Sequence, residues 1–184
     1  RGLAKVIAPK PRKLRSLDFV PGDCESYGAG IFEVNTLYAE VRKAIKTIHP
    51  RTDKQIADGL TMVKENFGVD LEKDFFNNLS GEMGAYVQST NTGLFPIPQF
   101  YFFVEVKDGK NFQSLLNKAI QAATKMSGKK FLLKIKDKTF KGQTYHYINV
   151  PFPFPGELSP SWMYKDGFMF MALNTKDIRE LIAK

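Results

Sequence analysis

Between Glu82 and Glu105 the chain runs 22 residues without a charge, and that run closes on Phe100-Tyr-Phe-Phe-Val104. Five consecutive apolar residues fit neither a half-buried strand, with its period of two, nor an amphipathic helix. They predict a central β-strand, Phe100 to Val106, covered on both faces. The run is long enough to span a bilayer. However, Gln88, Ser89, Asn91, Gly93, Pro96 and Pro98 interrupt it, so it reads as two strands joined by a loop. In the first of these, Met83, Ala85 and Val87 alternate.

The flanking segments supply the rest of the plan. Tyr27 to Val34 reads as a strand, and Asn35 or Thr36 is placed to cap a helix whose apolar stripe is Leu37, Tyr38, Val41, Ala44, Ile45 and Ile48. Thr52-Asp-Lys-Gln55 has the pattern of a capping box. It predicts a second helix with the stripe Ile56, Ala57, Leu60, Val63 and Phe67, closed by Gly68. Asp70 is expected to cap a short third helix carrying Leu71, Phe75, Phe76 and Leu79. Beyond the central strand, Asp108-Gly109 breaks the pattern. Phe112, Leu115, Leu116, Ala119, Ile120 and Ala123 then mark a long helix ending at Gly128. Phe131, Leu133 and Ile135 alternate with Leu132, Lys134 and Lys136, and a further strand is read at Tyr145 to Val150. Asp166-Gly167, between Trp162–Lys165 and Phe168–Leu173, is a two-residue hairpin signal. Asn174-Thr175 caps a last helix with Ile178, Leu181 and Ile182. A strand running through a polar cap into a helix recurs three times, as expected wherever a junction selects a capping residue. The expected fold is α+β: a largely antiparallel sheet packed with helices, preceded by an N-terminal helical section over 36–80.

Sixteen Phe, seven Tyr and one Trp in 184 residues can fill a large core, which argues against disorder. Residues 1–17 carry six basic residues, two prolines and no acid, and read as a basic arm or linker. Residues 18–184 read as a single domain. The start at Arg1 and the end at Lys184, within a predicted helix, are what a piece of a longer protein would show. Cys24 is the only cysteine, which excludes an intrachain disulfide.

The segment Phe67-Gly-Val-Asp-Leu-Glu-Lys-Asp-Phe-Phe-Asn-Asn-Leu-Ser-Gly-Glu82 leads into a strand, a Pro-containing loop and Phe102-Phe-Val-Glu-Val-Lys-Asp108. Together with Leu17-Asp-Phe-Val-Pro-Gly-Asp23 and Trp162-Met-Tyr-Lys-Asp-Gly-Phe-Met-Phe-Met-Ala-Leu-Asn174, it resembles a large bacterial family of domains of unknown function, over residues 17–184. The resemblance implies a longer, often exported protein and hence an extracytoplasmic location, either periplasmic or secreted. The family has no established site residues to carry over, and the basic arm lies outside its pattern.

No Walker loop, nucleophile elbow, dinucleotide fingerprint or zincin motif is present. His49 and His146 have no partner at ligand spacing, so no metal site or cofactor is expected. Three readings of function remain. In the first, Leu94-Phe-Pro-Ile-Pro-Gln-Phe100 and Val150-Pro-Phe-Pro-Phe-Pro155 form apolar loops that contact a partner, through Phe95, Pro96, Ile97, Pro98, Phe152 and Phe154. This makes the chain a non-catalytic binding or assembly module. In the second, a net charge of +8 and a lysine row bind a polyanion or nucleic acid. The row comprises Lys129, Lys130, Lys134, Lys136 and Lys138, with no aromatic expected on its face, and lysine is also the usual guard of a sheet edge. In the third, Glu33 and Glu105, near the ends of two strands, face each other as a general acid–base pair.

Overall fold

The computed structural model describes residues 12–90, 97–126, 134–150 and 158–183. Within them, seven strands form one antiparallel sheet: β1 (Ser26–Glu33), β2 (Leu79–Thr90), β3 (Ile97–Val106), β4 (Ile135–Phe140), β5 (Gln143–Ile148), β6 (Ser161–Lys165) and β7 (Phe168–Ala172). Their spatial order is β1-β2-β3-β7-β6-β5-β4. The helices are α1 (Val34–Ile48), α2 (Pro50–Phe67), α3 (Gly109–Met126) and α4 (Thr175–Ala183), with a 3-10 turn at Arg15–Asp18 and a π turn at Leu71–Phe76. The class is α+β, and α1, α2 and the π turn form the helical section that precedes the β2–β3 hairpin.

Both tight hairpins follow from their turn residues. Lys141 and Gly142 have φ of 46° and 81°, and Asp166 and Gly167 have φ of 52° and 83°. Positive φ at both central positions is the turn whose twist matches paired strands. β3 and β7 join the two halves of the sheet, with Phe103 opposite Phe170.

Several element ends differ from the sequence reading. Helix α1 starts at Val34, because the Thr36 hydroxyl donates to Glu33 and Asn35 accepts from the Thr36 amide. Neither Asn35 nor Thr36 is therefore the cap. Pro50 opens α2 two residues before the expected capping box, since its fixed φ suits the first helical position. Gly68 ends α2 in the left-handed region, at φ 63°. The third helix is one wide turn over Leu71–Phe76, capped by Asp70 as expected, and Leu79 belongs to β2. The lysine-bearing strand is Ile135–Phe140; Gly128, Phe131 and Leu133 lie outside the described residues.

The sheet is covered on two faces. On face A, Tyr86, Tyr101, Phe103, Tyr145, Tyr147, Phe168 and Phe170 pack with Ile178 and Leu181 of α4. On face B, Val104, Val106, Trp162 and Met169 pack under Phe112 and Leu115 of α3, with Val69 beside them.

A strap from Arg12 to Val20 crosses face A. Its anchor is Glu82, which is fully buried. One Glu82 oxygen accepts from the Arg15 amide at 2.6 Å and the other from the Ser16 amide at 2.9 Å. Glu105, on the neighbouring strand, pairs with the Arg12 and Arg15 guanidinium groups and accepts from the Glu82 amide at 2.8 Å. Gly81 makes this approach possible. Its φ is 128°, and a Cβ there would stand 2.0 Å from the Glu105 carboxylate. Arg15 also donates to the Asp166 carbonyl and lies 5.0 Å over the Phe168 ring. Past this anchor, the Phe19 ring meets Phe103, Phe168 and Phe170 edge-on, with centroids 5.4, 5.0 and 4.7 Å away.

Two predictions follow from the strap. Glu82→Ala leaves two buried amides without acceptors and costs at least about 2 kcal/mol in urea unfolding at neutral pH. The second concerns acid stability. Burial raises the Glu105 pKa, but the Glu82 amide and the two arginines outweigh it, and the net shift is below the ordinary glutamate value. A depressed folded pKa gives stability that is present above the unfolded value and lost as pH falls through the folded one. Glu105→Gln should therefore flatten the loss of stability below about pH 4.5, the ordinary value; an unchanged acid limb would contradict the assignment.

Candidate functional site

The covering of face B stops partway along β3. Helix α3 and the π turn reach Val104 and Val106, but Phe100 and Phe102 on the same face are 40% and 42% exposed. The expectation that Phe100–Val104 is covered on both sides therefore fails at its outer half. The cause is local. β1 and β2 present Gly28, Gly30 and Ala85 there, residues too small to support a second layer.

What remains is an open apolar groove of about 540 Å³. Gly28, Gly30 and Ala85 form its floor, and Phe32, Met83, Phe102 and Met171 rise around it. Phe32 is 45% exposed and its ring lies over Gly30, 2.8 Å from where a Cβ would stand. Phe100 and, beyond it, the exposed Pro98 extend the apolar surface along β3.

This surface joins one of the predicted contact loops. Ile97 and Pro98, read from the sequence as part of a loop, instead open β3, and both are exposed. Phe95, Pro96, Phe152 and Phe154 lie outside the described residues, as do Lys129 and Lys130. Between Pro98 and Phe100, Gln99 points the other way. It is buried, donates to Asp177 and to Glu180 at 2.8 Å each, and accepts from the Tyr101 hydroxyl at 3.1 Å. This network ties the first turn of α4 to face A and leaves Pro98 and Phe100 facing outward. Burial, reinforced by the charge of Glu180, pushes the Asp177 carboxyl above its ordinary range.

The lysine row sits elsewhere. β4 is the far edge strand of the sheet, and Lys134, Lys136 and Lys138 are all exposed. An aromatic does share their face, against expectation: the Lys136 and Lys138 ammonium groups lie 6.0 and 5.4 Å from the Tyr147 ring. That ring is buried and cannot offer a stacking surface to a base. His146 also has a partner that the sequence reading missed. Asp137 stands directly opposite it across the β4–β5 ladder, and its Oδ1 lies 2.7 Å from Nδ1.

Glu33 and Glu105 are not brought together. β2 lies between their strands. Glu33 holds the Thr36 hydroxyl, while Glu105 holds the strap. The acid nearest Glu105 in the hydrogen-bond network is Glu82, and both serve the strap. Among the described residues, no helix is long and apolar enough to cross a membrane. They also contain no group of three or more His, Cys, Asp or Glu side chains arranged to hold a metal ion.

In comparisons with known proteins, no family model, curated protein or solved structure matches this chain.

Adjacent residues of β3 should respond in opposite ways to truncation. Phe103→Ala removes a buried ring and should cost about 3–5 kcal/mol. Phe102→Ser, one residue away, should change stability by less than about 1 kcal/mol. Equal costs in chemical denaturation would show that the groove is core.

Proposed function

We propose that this chain is a non-catalytic binding or assembly module of an extracytoplasmic bacterial protein, and that the face-B groove is its contact surface. One observation carries the reading: large apolar side chains at Phe32, Phe100 and Phe102 stay exposed together on one face of the sheet. Contiguous exposed apolar surface rimmed by backbone and small residues is characteristic of contact sites. The extracytoplasmic setting comes from the family resemblance.

The groove reading predicts that an apolar dye such as bis-ANS binds the purified chain. Phe100→Ser with Phe102→Ser should abolish most of the fluorescence gain without lowering the melting temperature. A chain that does not enhance the dye, or a double variant that unfolds, would overturn it.

A second reading, polyanion binding, rests on the exposed lysines of the β4 edge. No carboxylate among the described residues pairs with Lys136 or Lys138, since Asp137 is held by His146. Retention on heparin that falls steeply with salt, and that Lys136→Gln with Lys138→Gln abolishes, would support it. Salt-insensitive retention would sink it.

A further inference from the structure

The two edges of the sheet are built differently. β4 carries Lys136 and Lys138, and Lys134 precedes it, the usual defence against another strand. β1, Ser26-Tyr-Gly-Ala-Gly-Ile-Phe-Glu33, has no lysine, arginine or proline. Among the described residues only β2 pairs with it, so its outer row of backbone amides and carbonyls is unguarded. Charge stands only at its ends, on Glu33 and on Glu25 just before it.

We propose that β1 pairs antiparallel with β1 of a second copy of this chain, with Gly30 at the two-fold axis. Side chains select both the occupant and the register. Keeping face B continuous across the junction restricts the register to steps of two residues. With Gly30 on the axis, Phe32 of each copy stands opposite Gly28 of the other. Nothing lies within 4 Å of where a Cβ on Gly28 would be, so that position has room for a large side chain, and β1 itself supplies one four residues on. An aromatic covering a cross-strand glycine is a recognised stabilising pair. In the same register Glu33 meets Tyr27, and Glu25 passes the end of the ladder. Shifting the axis to Ala29 would instead set Glu25 against Glu33 and leave Gly28 uncovered. Like charges directly opposite are destabilising, and an axis at Ile31 would set Phe32 against Gly30, which its own ring already covers, so the Gly30 register is the one the strand favours. The product is one sheet running through both copies, with the two grooves adjoining across the axis.

This inference shares Phe32 and the glycine floor with the groove reading but does not use Phe100 and Phe102, so the two can fail separately. The test uses sedimentation velocity over a concentration series, in a Cys24→Ser background. The expected result is a concentration-dependent dimer. Ile31→Lys, which places a cation on the opposite face from the groove and next to the axis, should give a folded monomer by circular dichroism. Gly30→Cys should cross-link to a disulfide dimer under mild oxidation, because residues opposite across an antiparallel ladder have Cα atoms about 4.5–5.5 Å apart. Phe100→Ser with Phe102→Ser should remain dimeric while losing the dye. A monomer at every concentration, a dimer untouched by Ile31→Lys, or a dimer in which Gly30→Cys fails to cross-link would each overturn the proposal.

Discussion

A fully buried carboxylate on β2 organises one side of this molecule. A buried carboxyl group is tolerated only when its oxygens find donors, and Glu82 obtains them from the amides of Arg15 and Ser16. The strap must therefore cross the sheet at that point. Once held there, it delivers Phe19 into the ring cluster of Phe103, Phe168 and Phe170. Face A is thereby closed by two elements from opposite ends of the chain, the strap and α4. Glu105 locks the arrangement from the next strand, reached through the space that Gly81 leaves empty. The acids that looked available for chemistry are thus committed to architecture.

Face B has no equivalent device. Its cover is α3, the π turn and the end of α2, and these reach the half of β3 that holds Val104 and Val106. The other half borders a floor of Gly28, Gly30 and Ala85, where small residues leave a hollow between the larger apolar side chains. An exposed pair of phenylalanines beside a glycine floor is the direct consequence. The groove is a product of where the layers end, and a contact surface is the use we propose for it.

Much of the fold was legible in the sequence because local chemistry determines it. Asp166-Gly167 and Lys141-Gly142 require positive φ. Gly68 stops α2. Asn174 accepts from the Asp177 amide and opens α4. The apolar run at Phe100–Val104 correctly placed β3 inside the sheet. What escaped was determined by partners distant in sequence. The arm read as a linker because residues 1–17 hold no acid; the partner of Arg12 and Arg15, Glu105, lies 93 and 90 residues away. The pattern of β3 could not reveal that one face is covered over half its length, since that depends on where α3 begins. Asp137 and His146 become opposite only through the β4–β5 register. For the candidate site, Pro98 carried a signal in the sequence. Phe32 and the glycines opposite it did not, because a glycine matters there only for the room it leaves.

The account's central claim is that the groove is a surface meant to be covered. Carbene footprinting of the chain, first purified and dilute and then in an extract of its own cells, tests this most directly. The account predicts that Phe32, Phe100 and Phe102 lose labelling in the extract, while Ile48 and Met62, exposed on the helices, keep theirs. Equal labelling of all five in both settings would contradict it.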